Sequence, residues 1–194
     1  MDKGTADATR RKTLTREDWL VAALAALKES GIEGVKVLPL AKRLGSSRGS
    51  FYWHFRDRRD LLRGLLDYWD RWSTDSMITA LAGVAEIEPR ERIWILVQRV
   101  QTQELSVHDP AIRAWALYDP DAARVVRRVD RKRLKTVAGL FREAGFSEEQ
   151  VAVRARLLAV YLMGDALVFV REPAARRRKL ARLRWQLLVD PSSD

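Results

Sequence analysis

The chain has 194 residues, 47% of them hydrophobic and 32% charged, and no cysteine. That balance suits a globular core, since a chain of this size buries roughly 70% of its unfolded surface, and it excludes disulfides, zinc fingers, iron–sulfur clusters and cysteine nucleophiles. The 36 Lys and Arg against 26 Asp and Glu leave a net charge of +10, which suits a polyanionic partner such as nucleic acid and equally a solvated basic surface.

Residues 1–14 read as a basic arm carrying Arg10, Arg11 and Lys12, with no apolar run behind the charges to make a secretory signal. Apolar residues then recur at helical spacing and no alternating strand pattern occurs, so the fold class is all-α. A first helix fits residues 15–30, capped by Thr15 with Asp18 three residues on, striped by Leu20, Ala23, Leu24 and Leu27, and stopped by Gly31. A second fits 37–44 with Pro39 in its first turn and Gly45 after it. Ser46 and Ser47 cap a third over 48–55, and Asp57 caps a fourth that runs from 58 to near 82 through Leu61, Leu65 and Trp69.

Longer helices follow over 89–105, 110–117, 120–144, 148–171 and 174–188, punctuated by Pro89, Pro110, Pro120, Gly145 and Pro173. The longest apolar run, 157–170, is interrupted by Gly164 and Asp165 and falls short of the ~20 residues of a membrane span, so a cytoplasmic protein is expected. The only histidines, His54 and His108, stand half a chain apart with no third ligand or nucleophile beside them. No catalytic, metal or cofactor site is expected, and the protein is not read as an enzyme.

Two short helices around Leu44-Gly45-Ser46-Ser47, with Ala41, Phe51 and Phe55 turned inward, have the spacing of a helix-turn-helix. The second helix carries Arg48, Gly49, Ser50, Tyr52, Trp53 and His54 on its outer faces. Arg48 can donate two hydrogen bonds to guanine, Gly49 permits close approach, and Tyr52, His54 and Arg58 suit phosphate oxygens. The competing reading is an ordinary amphipathic turn whose outer residues are merely solvated.

The stretch GIEGVKVLPLAKRLGSSRGSFYWHFRDRRDLL resembles the DNA-binding domain of tetracycline-repressor (TetR) type transcription regulators, most specifically in FYWHF and RDRRDLL. The resemblance covers about residues 15–66. It implies a nine-helix homodimer that binds a palindromic operator in double-stranded DNA with residues 15–62 and a small-molecule effector with residues 63–194. The DNA-binding set it implies is Lys36, Ser47, Arg48, Gly49, Ser50, Tyr52, Trp53, His54 and Arg58. Arg58 stands where the family usually has lysine, and Lys36 where it often has a Thr or Ser cap.

No motif names an effector. Gln101 on the otherwise apolar face Trp94, Val97, Leu105 needs a polar partner, which a ligand or a neighbouring helix could supply. Asp165, the only ionisable residue between Arg156 and Arg171, is expected to be buried in a pocket or a dimer interface. Trp69, Trp72, Trp115, Tyr118 and Tyr161 complete the expected lining. The function expected is a repressor released from its operator by a small molecule. The alternative is a helical protein that docks on a partner or membrane surface through the basic helix 174–188, where Arg176, Arg177, Arg178 and Lys179 flank Leu180, Leu183 and Leu187.

Overall fold

A computed structural model describes residues 14–102, 105–168 and 172–190, and all secondary structure among them is helical. The basic cluster Arg10, Arg11 and Lys12 lies outside the described residues. In order the helices are α1 (Arg16–Gly34), α2 (Val37–Arg43), α3 (Arg48–Tyr52), α4 (Arg58–Asp70), α5 (Ser76–Ala82), α6 (Pro89–Thr102), α7 (Asp109–Ala116), α8 (Pro120–Glu143), α9 (Glu148–Gly164) and α10 (Ala174–Val189). A π-helical turn, Arg71–Asp75, joins α4 to α5 without a break, so the two make one rod and the described residues form nine helical rods.

Local signals set most boundaries. Thr15 accepts a hydrogen bond from the Asp18 amide at 3.2 Å while the Asp18 carboxylate accepts from the Thr15 amide at 2.7 Å, a reciprocal cap. The helical backbone of α1 breaks at Gly31, whose φ of 65° is open to glycine at little cost. Gly45, at φ 60°, makes the turn between α2 and α3 for the same reason. Ser47 caps α3 and Asp57 caps α4.

Two expected helices differ. The fourth is not uniformly α-helical: Ser73 Oγ donates to the Trp69 carbonyl at 2.7 Å and Ser76 Oγ to that of Trp72, and hydroxyls that take up carbonyls one turn back loosen the helical ladder. The helix expected to reach 171 ends at Gly164, passes through a 3₁₀ turn (Asp165–Leu167) and is extended at Val168. Glycine is the weakest helix former after proline.

Two hydrophobic clusters hold the chain. Trp19, Phe51, Phe55, Leu61 and Trp69 belong to the first, beneath α1–α4, which also takes in Ile112 and Trp115 of α7 and Val126 and Val129 of α8. The second gathers Met77, Ile93, Phe141, Leu158 and Trp185 from α5, α6, α8, α9 and α10. The N-terminal helices thus rest on α7 and α8 rather than on a linker, and α8 runs through both cores.

Candidate nucleic-acid interface and interior cavity

The short helix α3 is held from behind by aromatic packing. Phe51 is fully buried, stacks on Phe55 with ring centres 5.3 Å apart, and meets the edge of Trp19 at 5.5 Å. With α3 pinned through Phe51, Arg48, Gly49, Tyr52 and Trp53 are left exposed, and Ser50 and His54 half-buried. Trp53 is 89% exposed, an unusual position for a large apolar ring. Arg48 lies over the Tyr52 ring and donates to its hydroxyl at 3.1 Å, so the two side chains form one cationic, hydrogen-bonding unit. A methyl group added at Gly49 would meet only Ser47 Oγ at 3.6 Å, so nothing inside the chain requires glycine there.

Lys36 is exposed beside α2 and makes no side-chain cap, as expected of a lysine in that place. Ser47 is engaged internally, accepting from the Ser50 amide at 3.2 Å. Arg58 departs from expectation. Its Nε donates to the Val35 carbonyl at 2.6 Å and its Nη2 to the Ile32 carbonyl at 2.7 Å, so the guanidinium closes the end of α1 instead of standing free for a phosphate. The first turn of α4 is also occupied by carboxylates: Asp57 caps the Asp60 amide at 2.7 Å, and Asp60 accepts from the Arg56 amide at 3.1 Å. That amide, with the cations of Arg56, Arg63 and Arg16, holds the Asp60 carboxyl below its usual pKa.

Below the helix-turn-helix, a buried polar network surrounds the π turn. Asp109, fully buried, accepts from Trp69 Nε1 at 2.9 Å and from both terminal nitrogens of Arg133. Arg133 continues to Thr74 Oγ1 at 3.0 Å and Ser73 Oγ at 2.9 Å. Asp70, also buried, pairs with Lys132 at 2.9 Å and Arg128 at 3.2 Å, and Lys132 reaches Asp75 at 2.9 Å. Burial opposes the charge on Lys132, but its hydrogen bonds to Asp75 and Asp70 outweigh that and raise its pKa. The network ties α4, the π turn and α7 to the middle of α8.

Against this network lies a cavity of about 70 Å³. Its walls are apolar, among them Met77, Leu81, Leu96, Val137, Leu162 and Met163, while Ser73, Thr74, Ser106, Arg133 and Thr136 supply its polar atoms. None of these polar residues was among the expected lining. The hydroxyls of a π turn facing the middle of another helix are a tertiary coincidence, and only the uncharged polar residues Ser73, Thr74 and Thr136 beside apolar ones could have signalled it.

The eight residues expected to line a ligand site are not brought together. Trp69 and Trp115 are buried in the N-terminal cluster, because α7 and α8 extend that core. Trp72 tilts against His108 with ring centres 5.8 Å apart. Trp94 packs on Trp185 at 5.8 Å, with Arg182 over both rings, because α10 docks on α6. Tyr118 is 89% exposed in the turn between α7 and α8. Gln101, Tyr161 and Asp165 do share a surface groove, where Gln101 Nε2 donates to the Tyr161 hydroxyl at 2.8 Å. That bond is the neighbouring-helix partner for Gln101. Asp165 is exposed, not buried, because the chain leaves the α-helix just before it.

The model of the bacterial regulatory proteins of the tetR family matches residues 20–65, the segment from α1 to α4. The tetracycline repressor protein class D of Escherichia coli is 42% identical over 52 residues, 27% of this chain and 24% of that protein. Among solved structures, a transcriptional regulator from Rhodococcus sp. Rha1 superposes with a TM-score of 0.71 at 21% identity, covering 91% of this chain and 94% of that one. A transcriptional regulator from Saccharomonospora viridis, solved in complex with choline, gives a TM-score of 0.66 at 17% identity over 91% and 96% of the two chains. The match falls on the helix-turn-helix and its aromatic base, so residues 20–65 form a DNA-binding domain of the tetR family of bacterial regulatory proteins, and through it the chain is a DNA-binding transcriptional regulator.

Proposed function

We propose that this regulator is a homodimeric repressor that grips a palindromic operator through residues 15–62 and releases it when a small molecule binds within residues 63–194. The observation that carries the reading is the rod from Arg58 to Ala82, which starts beneath the helix-turn-helix and ends in the cavity wall with Ser73, Thr74 and Met77. A ligand that favours one position of the rod changes DNA affinity by its own differential affinity. Arg48, Gly49, Ser50 and Trp53 would meet base edges, while Lys36, Tyr52 and His54 would meet phosphates. Ser47 and Arg58 act behind them, holding α3 and the end of α1 in place.

The dimer reading rests on apolar surface. Val153, Leu157 and Val160 form an exposed stripe on α9, and Leu183 and Leu187 are exposed on α10. The inner face of α10 is instead Ala181, Trp185 and Val189, which docks on the body. The outer leucines therefore stay available for a second copy, and the tetR-family domain favours this use over a membrane surface. No helix among the described residues is long and apolar enough to cross a membrane.

Selection of bound sequences from random double-stranded DNA with the full chain tests the reading. Enrichment of an inverted repeat, its half-sites roughly one helical turn or a multiple apart, is the expected result. Enrichment of an asymmetric site would refute the dimeric mode, and no enrichment would refute operator recognition.

A further inference from the structure

Three features of the interior cavity constrain what it can hold. The first is charge. Arg133 is the only charged residue in the described lining, and it is already matched by the fully buried Asp109 through both terminal nitrogens. An anionic ligand at Arg133 would face the Asp109 carboxylate, and a cationic one would face the guanidinium. Each would be buried without a free counter-charge, an arrangement that proteins avoid. No aromatic ring stands in the described lining to receive a quaternary ammonium, and the Trp69 face near it is taken by Arg133, 5.3 Å from the ring centre.

The second is hydrogen bonding. Ser73 Oγ gives its hydrogen to the Trp69 carbonyl, so in the 3.4 Å contact between the Ser73 and Thr74 hydroxyls Thr74 is the donor, at a length that makes the bond weak. Thr136 Oγ1 donates to the Lys132 carbonyl and keeps its acceptor lone pairs. Thr74 thus offers a loosely held donor and Thr136 an acceptor, with the Ser106 hydroxyl the one further uncharged polar group in the described lining, among aliphatic walls. The third is size. At about 70 Å³ it is smaller than the roughly 150 Å³ that admits a benzene-sized guest, so a ligand must push the walls apart. Met77 and Met163 can yield by changing rotamer, and Ser73 and Thr74 belong to the π turn itself.

We propose that the cavity between α5, α6, α8 and α9 takes an uncharged, chiefly aliphatic molecule bearing one hydroxyl, which accepts from Thr74 and donates to Thr136 beside the Arg133–Asp109 pair. The proposal rests on the effector-released repressor reading and names the chemical class of its effector. The need to widen the cavity is what makes such a ligand an effector: the bound chain must differ from the free one along the rod that leads to α3.

The test compares three probes of matched length, 1-hexanol, hexanoate and hexylammonium, by calorimetry and thermal unfolding of the full chain at pH 7. Hexanol is expected to bind at millimolar concentration or below, at least tenfold tighter than either ion. Ala159→Leu, which fills the cavity, should abolish the binding. Thr136→Val, nearly isosteric, should weaken it about three- to tenfold and keeps the test open if the larger variant does not fold. Tighter binding of hexanoate or hexylammonium, lost in the same variants, overturns the uncharged class while leaving the cavity as the ligand site. Absence of binding by all three probes, or binding indifferent to both variants, overturns the cavity as the ligand site, whereas the operator reading stands or falls on the enrichment of an inverted repeat.

Discussion

Trp69 and Asp109 meet where the two hydrophobic clusters adjoin: the indole Nε1 at the end of α4 donates 2.9 Å to a carboxylate at the start of α7 that is itself paired with Arg133 of α8. Both side chains are fully buried. The last residues of the rod before the π turn are therefore fixed to the body by a charged group that has no access to water, and the position of α4 depends on the integrity of that pair.

Asp109→Ala should destabilise the chain by about 3–5 kcal/mol, since it leaves Arg133 without its buried counter-charge and Trp69 without an acceptor. The double variant Asp109→Leu with Arg133→Met should lose less than the single one, because no unpaired charge remains. Urea unfolding of the three proteins measures this. A double variant as unstable as Asp109→Ala would mean that the pair stabilises by attraction rather than by mutual neutralisation.

Arg48 and Arg58 should separate binding from folding. Arg48→Ala removes an exposed cation and is expected to cost about 1–3 kcal/mol of specific DNA binding with the melting temperature unchanged. Arg58→Ala removes the guanidinium donor from the Val35 carbonyl and leaves that of Ile32 with the Val35 amide alone, and should cost about 1.5–3 kcal/mol of stability. Arg58→Lys keeps the charge but not the two-pronged geometry, and should be destabilised as well. If Arg58→Ala melts like the parent and loses affinity for random DNA, Arg58 is a phosphate contact after all.

Asp60 links stability to acid. Its carboxyl is held below the usual value by the Arg56 amide and nearby arginines, so the ionised form is favoured in the folded chain. A depressed folded-state pKa contributes stability fully above the unfolded value near 3.9, and the contribution is lost as pH falls through the lower folded value. Asp60→Asn should therefore lower the melting temperature at pH 6 and flatten its fall below about pH 4. Parallel melting curves for parent and variant across that range would show that Asp60 does not contribute.

Leu157→Glu combined with Leu187→Glu places charge on the exposed faces of α9 and α10, where neither leucine supports the core of its own chain. The variant should stay folded, run as a monomer of 22.3 kDa by light scattering, and lose operator affinity. An unaltered dimer would place the interface elsewhere.

Local features were legible in the order of the residues. Thr15 with Asp18, Gly31, Gly45, Ser47 and Asp57 mark helix ends, because caps and left-handed turns act within a few residues of chain. The helix-turn-helix was legible for the same reason, since its spacing and its inward phenylalanines all fall within 20 residues of one another. The role of Arg58 was not, because its carbonyl partners lie 23 and 26 residues away and only packing of α4 against the end of α1 brings them within reach. The cavity lay further beyond sequence: Ser73, Thr74, Thr136 and Met163 come from three separated segments, and hydrophobic periodicity says that a face is buried without saying against what. The leucines of α10 show the limit most plainly. Leu180, Leu183 and Leu187 read as its apolar face, yet the bulkier Trp185 with Ala181 and Val189 faces the core, because the Trp185 indole meets Trp94 and donates to the Arg90 carbonyl on α6 at 3.0 Å. Which of two apolar stripes turns inward depends on the shape and hydrogen-bond acceptors of the surface that receives it, and that surface exists only once α6 and α9 are in place.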